Sequence, residues 1–473
     1  MKAKSHLSLT AALALFALVG CAVGPDYQRP AVAAPAFKEA GEWKAAEPGE
    51  QLPRGKWWEA YGDPGLNNLQ ERIEISNNTL HEAEARYRQA QATATVASSA
   101  LFPSLNADAS ANRNHTAARG ATPAAVQNAF GAGLAAGWEF DLWGRVRRNA
   151  EAGRATAAAG AADLESVRLS VHAVLAQTYF SLRVADTEQA QYTRIVADYA
   201  RFLQMTRNRY AQGVDTRADV ATAETQLKSA QAQAIDLRLQ RTQLEHAIAV
   251  LLGQPPAEFS LAAAALTLTP PAPPRLIPSQ QLERRPDIAA AERRLAAASA
   301  QIGVARAGYF PVLSLSGSAG YQGSTFSHLF SAPNEIWSLG ASALAPLFDA
   351  GKTRAVVAGA RAAYDESLST YRQTVLEAFQ EVEDNLAAVT LLENEAALQN
   401  EAVAAARQSA SIALNQYKAG TVSYLNVVTA QAAQLAAERT AAQLLGRRLN
   451  ASVVLFKAAG GHDEFSRPAG AAR

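Results

Sequence analysis

The side chains able to do chemistry are sparse and scattered. Seven histidines stand at positions 6, 81, 115, 172, 246, 328 and 462, with no metal-ligand spacing among them. Glu82 and Glu84 neighbour His81 on one expected helix but lack the spacing of a metalloprotease, and a solvated helix face accounts for them. There is no glycine-rich phosphate loop and no nucleophile motif, so an enzyme finds no machinery and no cofactor is expected. The only cysteine, Cys21, excludes an intramolecular disulfide and leaves one thiol for covalent modification. Net charge is +1 with 18% charged residues, which argues against a nucleic-acid partner.

Cys21 has a telling position. Residues 1–20 hold two lysines, an apolar run from Leu7 to Val19 and no acid, the layout of a secretory signal too short for a membrane span. Leu18-Val19-Gly20-Cys21 resembles the bacterial lipobox, which implies cleavage before Cys21 and acylation of its sulfur, with Ala22 favouring the outer membrane. An ordinary signal peptide beside a stray cysteine is the blander alternative. Residues 21–56 carry five prolines and are expected to form an extended, lipidated tether.

The elements that follow are written twice. Tyr210, Gly213 and Gly253 recur as Tyr417, Gly420 and Gly460 at an offset of 207, and Gly144-Arg145 recurs as Gly351-Lys352. Each copy reads as a helix, two strands, a long helix ending at tyrosine, a glycine turn and a returning helix. The copies are expected to span 57–253 and 285–461, joined by a link at 254–284 with seven prolines, and residues 462–473 are expected to form a disordered tail. No proline interrupts 124–254 or 347–467, which permits long helices over Arg147–Tyr210 and Lys352–Tyr417, each roughly 100 Å. Val375, Phe379, Val382, Leu386 and Val389 run 4-3-4-3, the spacing of a coiled coil, although an ordinary helical bundle core gives the same stripe. One helix is expected over Leu66–Ala100. Trp57-Trp58 before a Gly-Asp-Pro turn reads as a buried aromatic corner.

Between the helices lie four period-two runs, at 104–112, 130–142, 312–321 and 336–347, with polar loops at 113–129 and 322–335. Their length and alternation match transmembrane β-strands. Asn106, Asp108, Ser314 and Ser316 are expected on a wet interior face. Four strands cannot close a barrel, and lipid does not tolerate open sheet edges. Several copies must therefore share one, and three copies would supply twelve strands.

The lipobox, WWEAYGDP, FDLWGRVR, RRPDIAAAERRL, YFPVLSLSG and YKAGTVSYLNVVTAQ together resemble outer-membrane factors of the TolC/OprM type, closest to the lipoprotein outlets labelled NodT. The resemblance covers essentially all of 21–461. It implies a mixed membrane α/β fold: a homotrimeric channel with a twelve-stranded barrel, four strands per subunit, continuing into an α-helical coiled-coil tunnel through the periplasm. It implies passive export of small molecules in a tripartite efflux system with a periplasmic adaptor and an inner-membrane resistance–nodulation–division pump. Adaptor docking carries over onto Gly213-Val214 and Gly420-Thr421. A periplasmic gate carries over onto a link between Tyr417 and Asp219, for which a helix-end aromatic and a helix-start acid are the plain alternatives. The two acidic-ring positions of that gate fall on Asn426 and Thr429, both neutral, which departs from a strongly cation-selective pattern. An outlet for protein secretion, or a pore-less lipid-anchored coiled-coil scaffold, are the competing functions.

Overall fold

The computed structural model describes residues 22–30, 55–120, 123–271 and 285–461. The expected signal peptide, Cys21, the tether from 31 to 54, most of the proline link (272–284) and the tail (462–473) lie outside the described residues.

A similar series of elements occurs twice, with one more helix in the first. The first comprises α1 (Pro64–Ser76), α2 (Asn78–Ser99), β1 (Ser104–Thr116), β2 (Ala125–Glu139), α3 (Arg145–Ala211) and α4 (Arg217–Leu251). The second comprises α5 (Pro286–Ala307), β3 (Val312–Gly323), β4 (Glu335–Leu344), α6 (Lys352–Lys418) and α7 (Tyr424–Ala458). Both long helices have 67 residues and both returning helices have 35. Proline-free, alanine-rich sequence makes that length possible, since no residue withdraws a backbone N–H.

The helix expected over Leu66–Ala100 is broken into α1 and α2 at Asn77. Asn77 is buried, its side chain accepts from Leu80 N at 2.8 Å and donates to Leu251 O at 2.6 Å. It starts α2 and ties it to the end of α4, where Gly253 (φ 64°) passes so near Ser76 that a Cβ would sit 2.1 Å from its carbonyl oxygen. A local side-chain bond outcompetes helix continuation there.

The chain forms two compact units. One holds the four strands with Arg86–Ala161 and Ala290–Arg372, and includes the described N-terminal stretch. That stretch is no free tether. Val23 N donates to Trp143 O at 2.9 Å, Tyr27 Oη to Glu292 at 2.6 Å, and buried Arg148 pairs with Asp26 and Glu151.

The other unit is helical. At the level of Glu188 its helices lie in the order α4–α3–α7–α6. Arg241 of α4 bonds Asp186 of α3 at 2.8 Å, Gln443 of α7 bonds Glu188 of α3 at 2.7 Å, and Arg407 of α6 bonds Glu438 of α7 at 2.6 Å. Two apolar clusters flank this charged belt. The first gathers Trp57, Trp58, Tyr61, Phe180 and Phe456, so the aromatic corner expected at Trp57 is a core anchor. The second surrounds the glycine turns with Tyr199, Phe202, Tyr417, Tyr424 and Val427.

Candidate functional site

The strands pair antiparallel in the order β1-β2-β3-β4, leaving β1 and β4 as open edges. Directly opposed residues point to the same face, so the register sorts every side chain. One face reads Leu105, Ala136, Gly317, Leu339 across the four strands, then Ala107, Leu134, Ala319, Trp337 and Ala109, Ala132, Tyr321, Glu335. The other reads Asn106, Ala135, Ser318, Ser338 and Ser104, Gly137, Ser316, Gly340. Asn106, Asp108, Ser314 and Ser316 share this second face, as their alternation requires. Gly133 and Gly320 are paired on it, and a Cβ on Gly320 would come within 2.4 Å of Ala132 O. Both faces are largely open to the surroundings in the single chain, Leu339 and Trp337 included.

The strand bounds differ from the alternation. The first hairpin pairs out to Thr116–Ala125, so its loop is shorter than the polar run suggests. Polar side chains pair as readily as apolar ones in a ladder and give no stop signal. β2 stops at Glu139, where a turn begins (Leu142 N to Phe140 O, 2.8 Å), and β4 stops at Leu344, ahead of Pro346, which has no N–H to give. Glu139 is held by Arg145 at the start of α3.

The two helix turns are the other candidate region. Gly213 and Gly420 take φ of 76° and 77°, left-handed backbone that a Cβ disfavours. Val214 and Thr421, the remaining expected docking residues, are exposed, and Thr421 Oγ1 donates to Gln416 O at 3.0 Å. Asn426 and Thr429 lie on the exposed side of α7 beside Leu425.

The Tyr417–Asp219 link does not form in this chain. Asp219 is the third residue of α4, and its carboxylate accepts from the backbone N and hydroxyl of Thr216 at 2.9 and 2.7 Å in a capping box. Tyr417, 1% exposed, instead donates to Asp215 Oδ2 at 3.2 Å. Arg209 Nε bonds both oxygens of Asp215 at 3.1 Å, and its guanidinium lies 4.9 Å over the Tyr417 ring. Burial pushes the Tyr417 hydroxyl above the ordinary phenol range. Arg209 and Asp215 are the residues that local sequence reading missed. Their signal was asymmetry, because the second copy carries Gln416 and Val422 at those places.

Among the described residues no group of histidine, cysteine or acidic side chains can hold a metal ion, and no helix is long and apolar enough to cross a membrane. What remains is a two-faced sheet and a bundle of long helices ending in turns.

Known proteins share that combination. The outer membrane efflux protein family matches residues 69–254 and again 277–461. The pyoverdine export outer membrane protein OpmQ of Pseudomonas aeruginosa is 34% identical over 415 residues, covering 86% of this chain and 87% of the relative. The toluene efflux pump outer membrane protein TtgI of Pseudomonas putida is 31% identical over 461 residues, 95% and 97% of the two chains. The solved outer-membrane channel OprN superimposes with a TM-score of 0.86 at 31% identity, over 94% of this chain and all of that one. With a family match over most of its length and a solved channel of the same fold, the chain belongs to the outer membrane efflux protein family.

Proposed function

We propose that three copies of this chain join edge to edge into a twelve-stranded barrel, and that the helices continue it as a tunnel through which small molecules leave the cell passively. The observation that carries the reading is the sheet: one face apolar over the rows from Leu105 to Tyr321, with charged and polar residues only toward the hairpin ends (Arg113, His115, Asn128, Glu335), one polar and glycine-lined face, and two unpaired edges. Exposed backbone edges in lipid cost several kcal/mol per unsatisfied group, so the four strands need neighbours on both sides. The polar face would then line a wet lumen and the apolar face meet acyl chains.

Energy for export comes from other chains in this reading: an inner-membrane pump and a periplasmic adaptor that docks near Gly213-Val214 and Gly420-Thr421. Relatives named for pyoverdine and toluene efflux support small organic molecules as the cargo class. Acylated Cys21 anchors the chain to the outer membrane, which mass spectrometry of the mature protein checks as a mass increment on that residue. The gate is the Tyr417–Asp215–Arg209 contact rather than one through Asp219, and neutral Asn426 and Thr429 leave the entrance without acidic rings.

Reconstitution of the purified protein into planar bilayers tests the channel. Discrete single-channel steps are expected, growing in Asp215→Ala relative to wild type. A folded preparation that inserts without steps leaves only a scaffold.

A further inference from the structure

Aromatic rings bound the apolar face of the sheet at both ends. Toward the helices, Trp138 stands opposite Leu315 and packs edge to face on Phe140, ring centroids 5.5 Å apart. Toward the hairpins, Phe130, Tyr321 and Trp337 share the face. Phe326 and Phe330, from the β3–β4 connection, pack on Phe130 and Tyr321 at 5.9 and 5.4 Å. The strand runs about 27 Å from Trp138 to Phe130, or about 20 Å of membrane at the usual barrel tilt.

Basic side chains begin where that belt ends. On the same face, the rows beyond Ala111 and Phe130 are Arg113 with Asn128, then His115 with Val126. Arg113 thus stands about 7 Å past the aromatic row, at the depth of lipid headgroups. Both basic residues are exposed, and among the described residues no carboxylate pairs with either. The opposite face at this level carries only neutral side chains, Asn112, Asn114 and Gln127. Between Ala109 and Trp138 the sequence holds Arg113, His115 and Arg119 and no acid, whereas the β3–β4 hairpin has no lysine or arginine. Glu335, the acid on the same face, belongs to β4 at the other edge of the sheet.

We infer that Arg113 and His115 hold the phosphate of a lipid headgroup in the outer leaflet, with its acyl chains lying along Ala107, Ala109 and Phe130. This rests on the barrel proposed above and assigns its contact with the membrane surface. Helix junctions follow or precede the strands at Ser104 and Glu139, the ends opposite the hairpin. With the helices in the periplasm, the hairpin end therefore meets the outer leaflet. A guanidinium offers paired N–H donors that match phosphate oxygens, and an imidazole N–H adds another. A cation serving cargo belongs on the polar face, and a site for soluble anions has no use for an aromatic belt beneath it.

The test titrates the full-length protein in detergent with phosphatidate or phosphatidylcholine and counts retained lipids by native mass spectrometry at low salt. One phosphatidate per copy is expected to be kept more tightly than phosphatidylcholine. Arg113→Gln is expected to weaken that lipid about fivefold, the gain a single basic side chain has near an anionic surface. His115→Gln should weaken it less, and Asn112→Ala, on the opposite face, should leave it unchanged. Single-channel steps in planar bilayers check that each variant assembles. Equal retention of the two lipids, or a phosphatidate preference that survives Arg113→Gln, would overturn the site while leaving the channel intact. Displacement of phosphatidate by an equal concentration of inorganic phosphate would overturn the lipid assignment in favour of a free-anion site. A folded preparation that keeps neither lipid and gives no steps would overturn the barrel as well.

Discussion

The two glycine turns match in sequence at an offset of 207 and yet stand on different footings. The first, between α3 and α4, supports itself: Thr216 and Asp219 close a capping box, Arg209 folds back on Asp215, and Tyr210 is 47% exposed. The second, between α6 and α7, has no side-chain cap at Ser423, and its tyrosine is buried against the first turn. One turn is a platform and the other leans on it. Positions that match by spacing thus need not match in role, and the residues that differ (Arg209 against Gln416, Asp215 against Val422) mark the division of labour.

Substitutions at matched positions can break that comparison. The largest expected difference is at the tyrosines. Tyr417→Ala removes a fully buried ring and should lower the local opening free energy near 415–424 by about 3–5 kcal/mol in hydrogen exchange. Tyr210→Ala should stay within about 0.5 kcal/mol, as at other exposed sites. Equal effects would mean the turns are not distinguished by burial. Asp215→Asn should cost about 1.5–3 kcal/mol, spread over both turns because it serves both Arg209 and Tyr417. Asp219→Asn should disturb the start of α4 alone. Gly213→Ala and Gly420→Ala should each cost about 1–2 kcal/mol, since both sit at positive φ, and here the turns should agree.

Smaller still, Thr216→Ala should weaken the start of α4 by about 1 kcal/mol, whereas Ser423→Ala should leave α7 unchanged. The finest test is alkaline. A folded-state hydroxyl raised above its ordinary value of 10.0 contributes stability that is complete below that pH and is lost as pH climbs through the raised value. Exchange near Tyr417 should therefore accelerate above pH 10 in the native protein and less steeply in Tyr417→Phe.

Local pattern made much of this architecture legible. Absence of proline located α3 and α6 to within two residues of their ends, because an uninterrupted alanine-rich run has nothing else to become. Period-two alternation located all four strands and their two faces. The break at Asn77 stayed hidden because asparagine within a helical run carries no sign of whether its amide will find Leu251 far along the chain. For the same reason the bond from Tyr417 to Asp215 is not legible in the sequence. A motif carries over a position, whereas the bond from Tyr417 spans 202 residues and depends on which carboxylate is already engaged in capping its own helix.

The unpaired margins of the sheet have a consequence for how the protein is made. A lone subunit crossing the watery space between the two membranes would display a greasy surface bounded by two sticky strands, the arrangement most prone to mispairing. In the proposed assembly, completion of the strands is tied to the moment when subunits meet at the bilayer. Damage to the sheet should show itself as fewer outlets per cell rather than as poorly conducting ones.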